Sequence, residues 1–210
     1  MASSNTFLIS SDGSGYGILI DPGSEVLLVA DFLRETSISR VDILITHGHF
    51  DHAGSAAYFQ KKYGCQVFMH AADLRTLKAS NFLLMALKIP LKIEQPQVTY
   101  INDQFSIDIN GHPLNYLHSP GHTPGSCVVE LGSAWFTGDT IYSRGVGLSQ
   151  LPGENVELLK TSILGLWGRL TSELTVYPGH GNAADGASVR CENRALLRFL
   201  GLIEIDSVAP

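Results

Sequence analysis

The sequence predicts an α/β protein in which helices cover sheets, built as a single domain across residues 1–210. Three observations carry that expectation. Short apolar runs alternate with apolar segments of helical length along the whole chain. With 210 residues, 44% of them hydrophobic, the chain is long enough to bury one sizeable core and short for two. No stretch rich in Pro, Gly or Ser, no low-complexity segment and no short-period repeat divides it.

In chain order, FLIS (7–10), YGILID (16–21, closed by Pro22 and Gly23) and DILIT (42–46) read as strands ended by turns. Between the second and third, SEVLLVADFLRETS (24–37) has an apolar pattern of helical length. After His52, GSAAYFQKKYG (54–64) reads as a helix stopped by Gly64. QVFMH (66–70) repeats the strand pattern, with a helix around ADLRTLKA (72–79). VTYI, FSIDI and PLNYLHS then suggest antiparallel strands. CVVEL (127–131) and AWFTGD (134–139) are two more, separated by Gly132 and Ser133 as a hairpin-like two-residue turn. A helix near Val156 to Leu166, the strand LTVYP (174–178) and one amphipathic helix, ASVRCENRALLRFLG, ending at Gly201, complete the chain.

Composition narrows the function classes. A net charge of −6 provides no broad basic surface to track a phosphate backbone, so no nucleic-acid partner is expected. Cys65, Cys127 and Cys191 stand far apart without a CxxC pair, which points to reduced, mostly buried thiols. The first ten residues lack a basic stretch followed by a long apolar one, and a cytoplasmic location is expected. The greasiest segment, NFLLMALKIPL (81–91), is broken by Lys88 and Pro90 and is shorter than the roughly 20 residues that span a bilayer. No membrane partner is expected. That segment reads as a core helix in preference to an apolar lid or a homodimer surface.

The chemistry concentrates in THGHFDH (46–52), which packs three histidines and an aspartate into seven residues directly after an apolar strand. A strand end holds its first residues rigidly while the following loop wraps. His47 and His49 can therefore converge on one point, and Asp51 and His52 on a second. Mixed nitrogen and oxygen ligation suits zinc or another first-row metal better than calcium or magnesium. Three single residues share the same local setting: His122 follows SPG, Asp139 follows FTG and His180 follows YPG. Each comes after an apolar run, with a glycine beside it where a turn must pass close to a metal. Singly, each histidine could be a hydrogen-bonded turn residue; jointly, four strand ends with ligand-type side chains point to one shared site. His70, His112 and His118 lie in strand-like runs without that context and read as structural histidines.

THGHFDH, SPGHTPGS, FTGDT and YPGHG resemble the HxHxDH, His, Asp and His motifs of the metallo-β-lactamase superfamily, and the resemblance covers nearly the whole chain. TPGSC and GDTIYSRGVG are closest in flavour to glyoxalase II-like hydrolases and their single-domain bacterial relatives. The resemblance implies a four-layer αββα sandwich of two mixed sheets with outer helices. It implies two divalent metal ions, zinc first and iron or manganese as alternatives. His47, His49 and His122 would hold one, Asp51, His52 and His180 the other, with Asp139 bridging them and a hydroxide between them as nucleophile. Asp51 is also the candidate for steering the hydroxide's proton.

The same resemblance implies hydrolysis of a small-molecule thioester or related ester. Two departures point to a smaller or less acidic substrate than a glutathione conjugate. Leu148 stands where a basic residue would grip a glutathione carboxylate, and the chain ends about thirty residues after His180, too soon for a separate helical domain. Arg144 is the nearest replacement for that grip or a solvated surface arginine; Tyr142 donates to an oxyanion or packs. Three rivals use the same fold: a mononuclear iron persulfide dioxygenase employing His47, His122 and Asp139, a lactonase, and a binding protein without chemistry.

Overall fold

The structure is a computed structural model and describes residues 4–11, 13–109 and 111–204. One sheet carries, in spatial order, β1 (Phe7–Ser10), β2 (Tyr16–Ile20), β3 (Arg40–Ile45), β4 (Val67–His70) and β5 (Thr99–Ile101). The second carries β6 (Ser106–Ile109), β7 (His112–His118), β8 (Cys127–Leu131), β9 (Ala134–Gly138), β10 (Thr175–Pro178) and β11 (Ala184–Asp185). From β2 to β5 the pairing is parallel, so each step needs a crossover. These are α1 (Val26–Glu35), then α2 (Phe50–Ala53) with α3 (Ala56–Tyr63), then α4 (Leu74–Ala86). From β6 to β9 the strands pair antiparallel, and the pairing of Leu131 with Ala134 leaves Gly132 and Ser133 as the expected two-residue turn. A crossover through α5 (Val156–Leu166) sets β10 parallel to β9.

Alternation along the strands sorts apolar side chains into three cores. Ile18, Ile20, Leu44 and Phe68 meet Leu114, Tyr116, Val129 and Phe136 between the sheets. Their strand neighbours Leu19, Ile43, Ile45, Val67 and Met69 point the other way, under Leu33 of α1 and Phe59 of α3. Val128, Trp135 and Val176 likewise turn outward beneath α5 and α7 (Arg194–Leu200). The result is the four-layer αββα sandwich. A one-residue slip in β3 would exchange Leu44 with Ile43 and Ile45 between two close-packed cores whose facing side chains are shaped for the other residue, and that misfit fixes the register.

The structure corrects three local expectations. VTYI belongs to the first sheet and runs parallel to β4, because α4 returns the chain to the same end of the sheet; the antiparallel run begins only with β6. The closing helix is two, α6 (Gly186–Glu192) and α7, broken at Asn193, whose φ and ψ of −76° and 78° are not helical. Its buried side chain accepts from Leu196 N (3.1 Å) to start α7 and from Gly145 N (2.9 Å). Its amide donates to Tyr142 O (3.1 Å) and Gly145 O (2.9 Å). NFLLMALKIPL is core on one face only: Leu84 packs on Phe50 and Ile93, whereas Phe82 and Met85 are 69% and 67% exposed. Among the described residues, no helix is long and apolar enough to cross a membrane.

Candidate metal centre

The seven residues singled out in sequence meet at one rim of the sandwich. His47 and His49 leave the end of β3, and Asp51 and His52 sit in the single turn of α2. His122 lies in the β7–β8 loop, Asp139 directly follows β9, and His180 follows β10. Their ligating atoms form three overlapping clusters: His47, His49 and His122; His47, His52 and Asp139; Asp51, His52 and His180. Asp139 spans them. Its Oδ1 is 3.3 Å from His52 Nε2, and its Oδ2 is 3.4 Å from His122 Nε2 and 3.5 Å from His180 Nε2. Asp51 Oδ2 lies 3.4 Å from His180 Nε2 and 3.9 Å from His52 Nε2.

The residues fit metal ions by their hydrogen-bond accounting. His122 Nδ1 donates to Gly147 O (2.8 Å), His52 Nδ1 to Asp21 Oδ2 (2.8 Å), and His47 Nδ1 lies 3.1 Å from Thr46 Oγ1. Each ring is thereby oriented with Nε2 toward the shared centre, as ligating imidazoles are. Buried polar atoms normally find partners, yet His47 Nε2, His52 Nε2 and Asp139 Oδ1 have no hydrogen-bond partner among the described residues. The His52–Asp139 approach is close but out of line for a hydrogen bond. Unpartnered nitrogen and oxygen donors converging in this way suit a first-row divalent metal.

Sequence reading missed the carboxylates that hold the loop. Asp21, at the end of β2 with φ of 48°, accepts from Thr46 N (2.7 Å) and Thr46 Oγ1 (2.6 Å) as well as from His52. An acid between an apolar strand and Pro-Gly looks like any turn residue; the signal was its position level with THGHFDH on the neighbouring strand. Asp73 accepts from Gly48 N (2.6 Å), Thr123 Oγ1 (2.9 Å) and Gly125 N (2.8 Å), tying the HxHxDH loop to the one carrying His122. Glycines permit the close packing: a Cβ on Gly147 would overlap the Asp139 carbonyl, and one on Gly179 the Asp139 carboxylate.

The electrostatics divide the site. Burial, then the neighbouring His52 and His122, hold His47 well below the ordinary imidazole range. Burial and His122 bring His49 down to about 4. His52 is also buried, but Asp139 and Asp21 outweigh desolvation and raise it well above that range. Hydrogen bonds to Asp139 and Asp51 raise His180 to about 10. Burial opposes ionisation of Asp139 and Asp51, yet His52 and His180 pull both below the usual carboxylate range.

Of the two expected substrate contacts, Tyr142 lies at the centre's edge, its ring 6.0 Å from that of His180. Burial and then the Asp139 charge push its phenol up, so it keeps its proton. Arg144 is exposed and lines a cleft of about 490 Å³ together with His180, Ser188 and Glu192.

A four-layer sandwich with such a His/Asp cluster at its rim is the architecture of a metallo-hydrolase. The chain belongs to the metallo-β-lactamase superfamily, whose family model matches residues 2–193. It is 30% identical over 189 residues to a protein of Methanocaldococcus jannaschii described as a "probable metallo-hydrolase", covering 87% of this chain and 90% of that one. The fold is similar to that of the B3 metallo-β-lactamase BLEG-1, with a TM-score of 0.82, 24% identity and coverage of 92% and 94% of the two chains. It is also similar to TTHA1623, solved in a di-iron-bound form, with a TM-score of 0.78, 28% identity and coverage of 90% and 93%.

Proposed function

We propose that this chain is a dinuclear metallo-hydrolase that cleaves a thioester or related ester of a small molecule. The observation that carries the reading is that two groups of donors share one carboxylate: Asp139 lies within 3.5 Å of ring nitrogens from both. His47, His49 and His122 would hold one ion and Asp51, His52 and His180 the other, with Asp139 contributing an oxygen to each. The solved di-iron form of TTHA1623 supports double occupancy. Zinc is the first candidate, with iron and manganese next. Bound there, two divalent ions supply a water of near-neutral pKa as nucleophile and a positive field for the scissile carbonyl.

The protein's own groups complete the chemistry. Asp51 is ionised and half-buried beside His180, placed to take and steer the attacking water's proton. Tyr142 keeps its proton and is placed to donate to the oxyanion that develops on the carbonyl. Arg144 offers a cation at the cleft for an acidic group on the substrate, while exposed Leu148 offers no charge to grip a further carboxylate and favours a smaller or less acidic substrate than a glutathione conjugate.

Metal counting on the purified protein, paired with assays on an acyl thioester, an open ester and a lactone, tests the reading. Two ions per chain and fastest turnover of the thioester are expected. A single iron with oxygen consumption would replace this reading with a persulfide dioxygenase, and preference for the cyclic ester with a lactonase. A metal-loaded protein that turned over none of the three would count against hydrolysis.

A further inference from the structure

We propose that His70, Asp103 and His118 form an additional divalent-metal site, on the seam between the two sheets and sharing no residue with the seven donors above. His70 ends β4 in the first sheet, His118 ends β7 in the second, and Asp103 lies in the turn that carries the chain from β5 to β6. His70 stands 33 residues from Asp103 and 48 from His118, which hid the cluster from motif reading, and all three ligating atoms lie within 4.8 Å of one another. His70 Nε2 is 2.9 Å and His118 Nδ1 3.1 Å from the same oxygen, Asp103 Oδ1. The two imidazoles stack with centroids 4.0 Å apart at 16°.

Hydrogen-bond accounting asks for a positive charge here. His118 Nε2 donates to the Pro124 carbonyl at 3.0 Å. A neutral imidazole has one N–H, so its Nδ1 presents a lone pair to the carboxylate. Two lone pairs 3.1 Å apart repel unless a cation or a second ring proton lies between them. His70 Nδ1 accepts from Ala72 N at a long 3.3 Å; yielding that bond lets Nδ1 take the proton and turns the Nε2 lone pair on the same point. Without an ion, the His70 hydrogen bond and then the His118 charge keep the Asp103 carboxyl below its usual range; a bound ion would take over both roles.

Two imidazoles and one carboxylate select zinc, cobalt, nickel or copper over calcium or magnesium. His70 is buried whereas the Asp103 side chain is 69% exposed, so the ion would rest on protein on one side and carry water on the other. Its effect would be a clasp: one ion joins the end of β4, the inter-sheet turn and the start of the loop to His122.

Equilibrium dialysis against zinc tests the site, with metal counted per chain in wild type, Asp103→Ala and His118→Phe. Phe keeps the ring stacked on His70 and removes both nitrogens; Asp103 is in an exposed turn, and circular dichroism checks that both variants fold. Wild type should hold one zinc more than either variant. Crystals soaked in zinc should show an anomalous peak roughly 2.0–2.1 Å from His70 Nε2 and His118 Nδ1. Equal zinc counts in all three proteins, or soaked crystals with metal at Asp139 and none at Asp103, would overturn the proposal. Neither result bears on hydrolysis at the seven-donor centre.

Discussion

His47 and His52 are buried imidazoles with centroids 4.0 Å apart, yet their protons go opposite ways. His47 sits among other histidines and is driven neutral; His52 lies between Asp139 and Asp21 and is driven to imidazolium. Equal burial therefore yields opposite charge, and the carboxylates facing each ring decide which. Within the inner group, His47 and His49 are already in the neutral state that a metal requires. The outer group, with His52 and His180, must release protons before it ligates.

The harshest way to break this contrast is Asp139→Ala. It removes the oxygen donor both groups share and the charge that holds His52 and His180 protonated. Turnover should fall by about 10³-fold or more, with loss of bound metal, as read by kcat and metal analysis. Retention of both ions would show that the groups do not depend on a common carboxylate.

Asp21→Asn sharpens it, because Asp21 orients His52 and touches none of the inner rings except through Thr46. Affinity for the second ion should weaken about 10- to 100-fold in chelator competition while the first binds nearly as before. Equal weakening of both would merge the two groups into one.

A gentler probe is pH. His180 is raised to about 10, so at neutral pH its proton must leave as the outer ion binds. Affinity for that ion should rise with pH up to about 10, roughly tenfold per unit for each proton displaced. The inner ion, held in part by His49, lowered to about 4, and by His47, held well below the ordinary imidazole range, should show a flatter dependence above pH 6.5. Calorimetry in buffers of different ionisation heat counts the protons.

The smallest effect belongs to Arg144→Ala, outside both groups. KM for an acidic thioester should rise about 3- to 10-fold with kcat nearly kept, and KM for a neutral one should stay. A fall in kcat alone would place the arginine with the reacting atoms.

The donors were legible in sequence because a metal ligand at a strand end leaves a local trace: an apolar run, a glycine, then His or Asp. The supports were not. Asp21 and Asp73 act across neighbouring strands and loops, and a lone acid beside Pro22 or after two alanines has no periodicity to betray it. The three residues of β5 were too few to declare a pairing direction. Asn193 sits in an unbroken helical pattern, and only its tertiary partners reveal why the backbone turns there. Composition and spacing thus report what each segment does alone, whereas the pairing of distant segments needs coordinates.

That one amide also limits how this molecule can be remodelled. Asn193 fastens the segment bearing Tyr142 to the start of the final helix, so the rim beside His180 is upholstered from the C-terminal end of the chain. A transplanted 142–145 segment from a cousin would arrive without its anchor unless residues around 193 travelled with it.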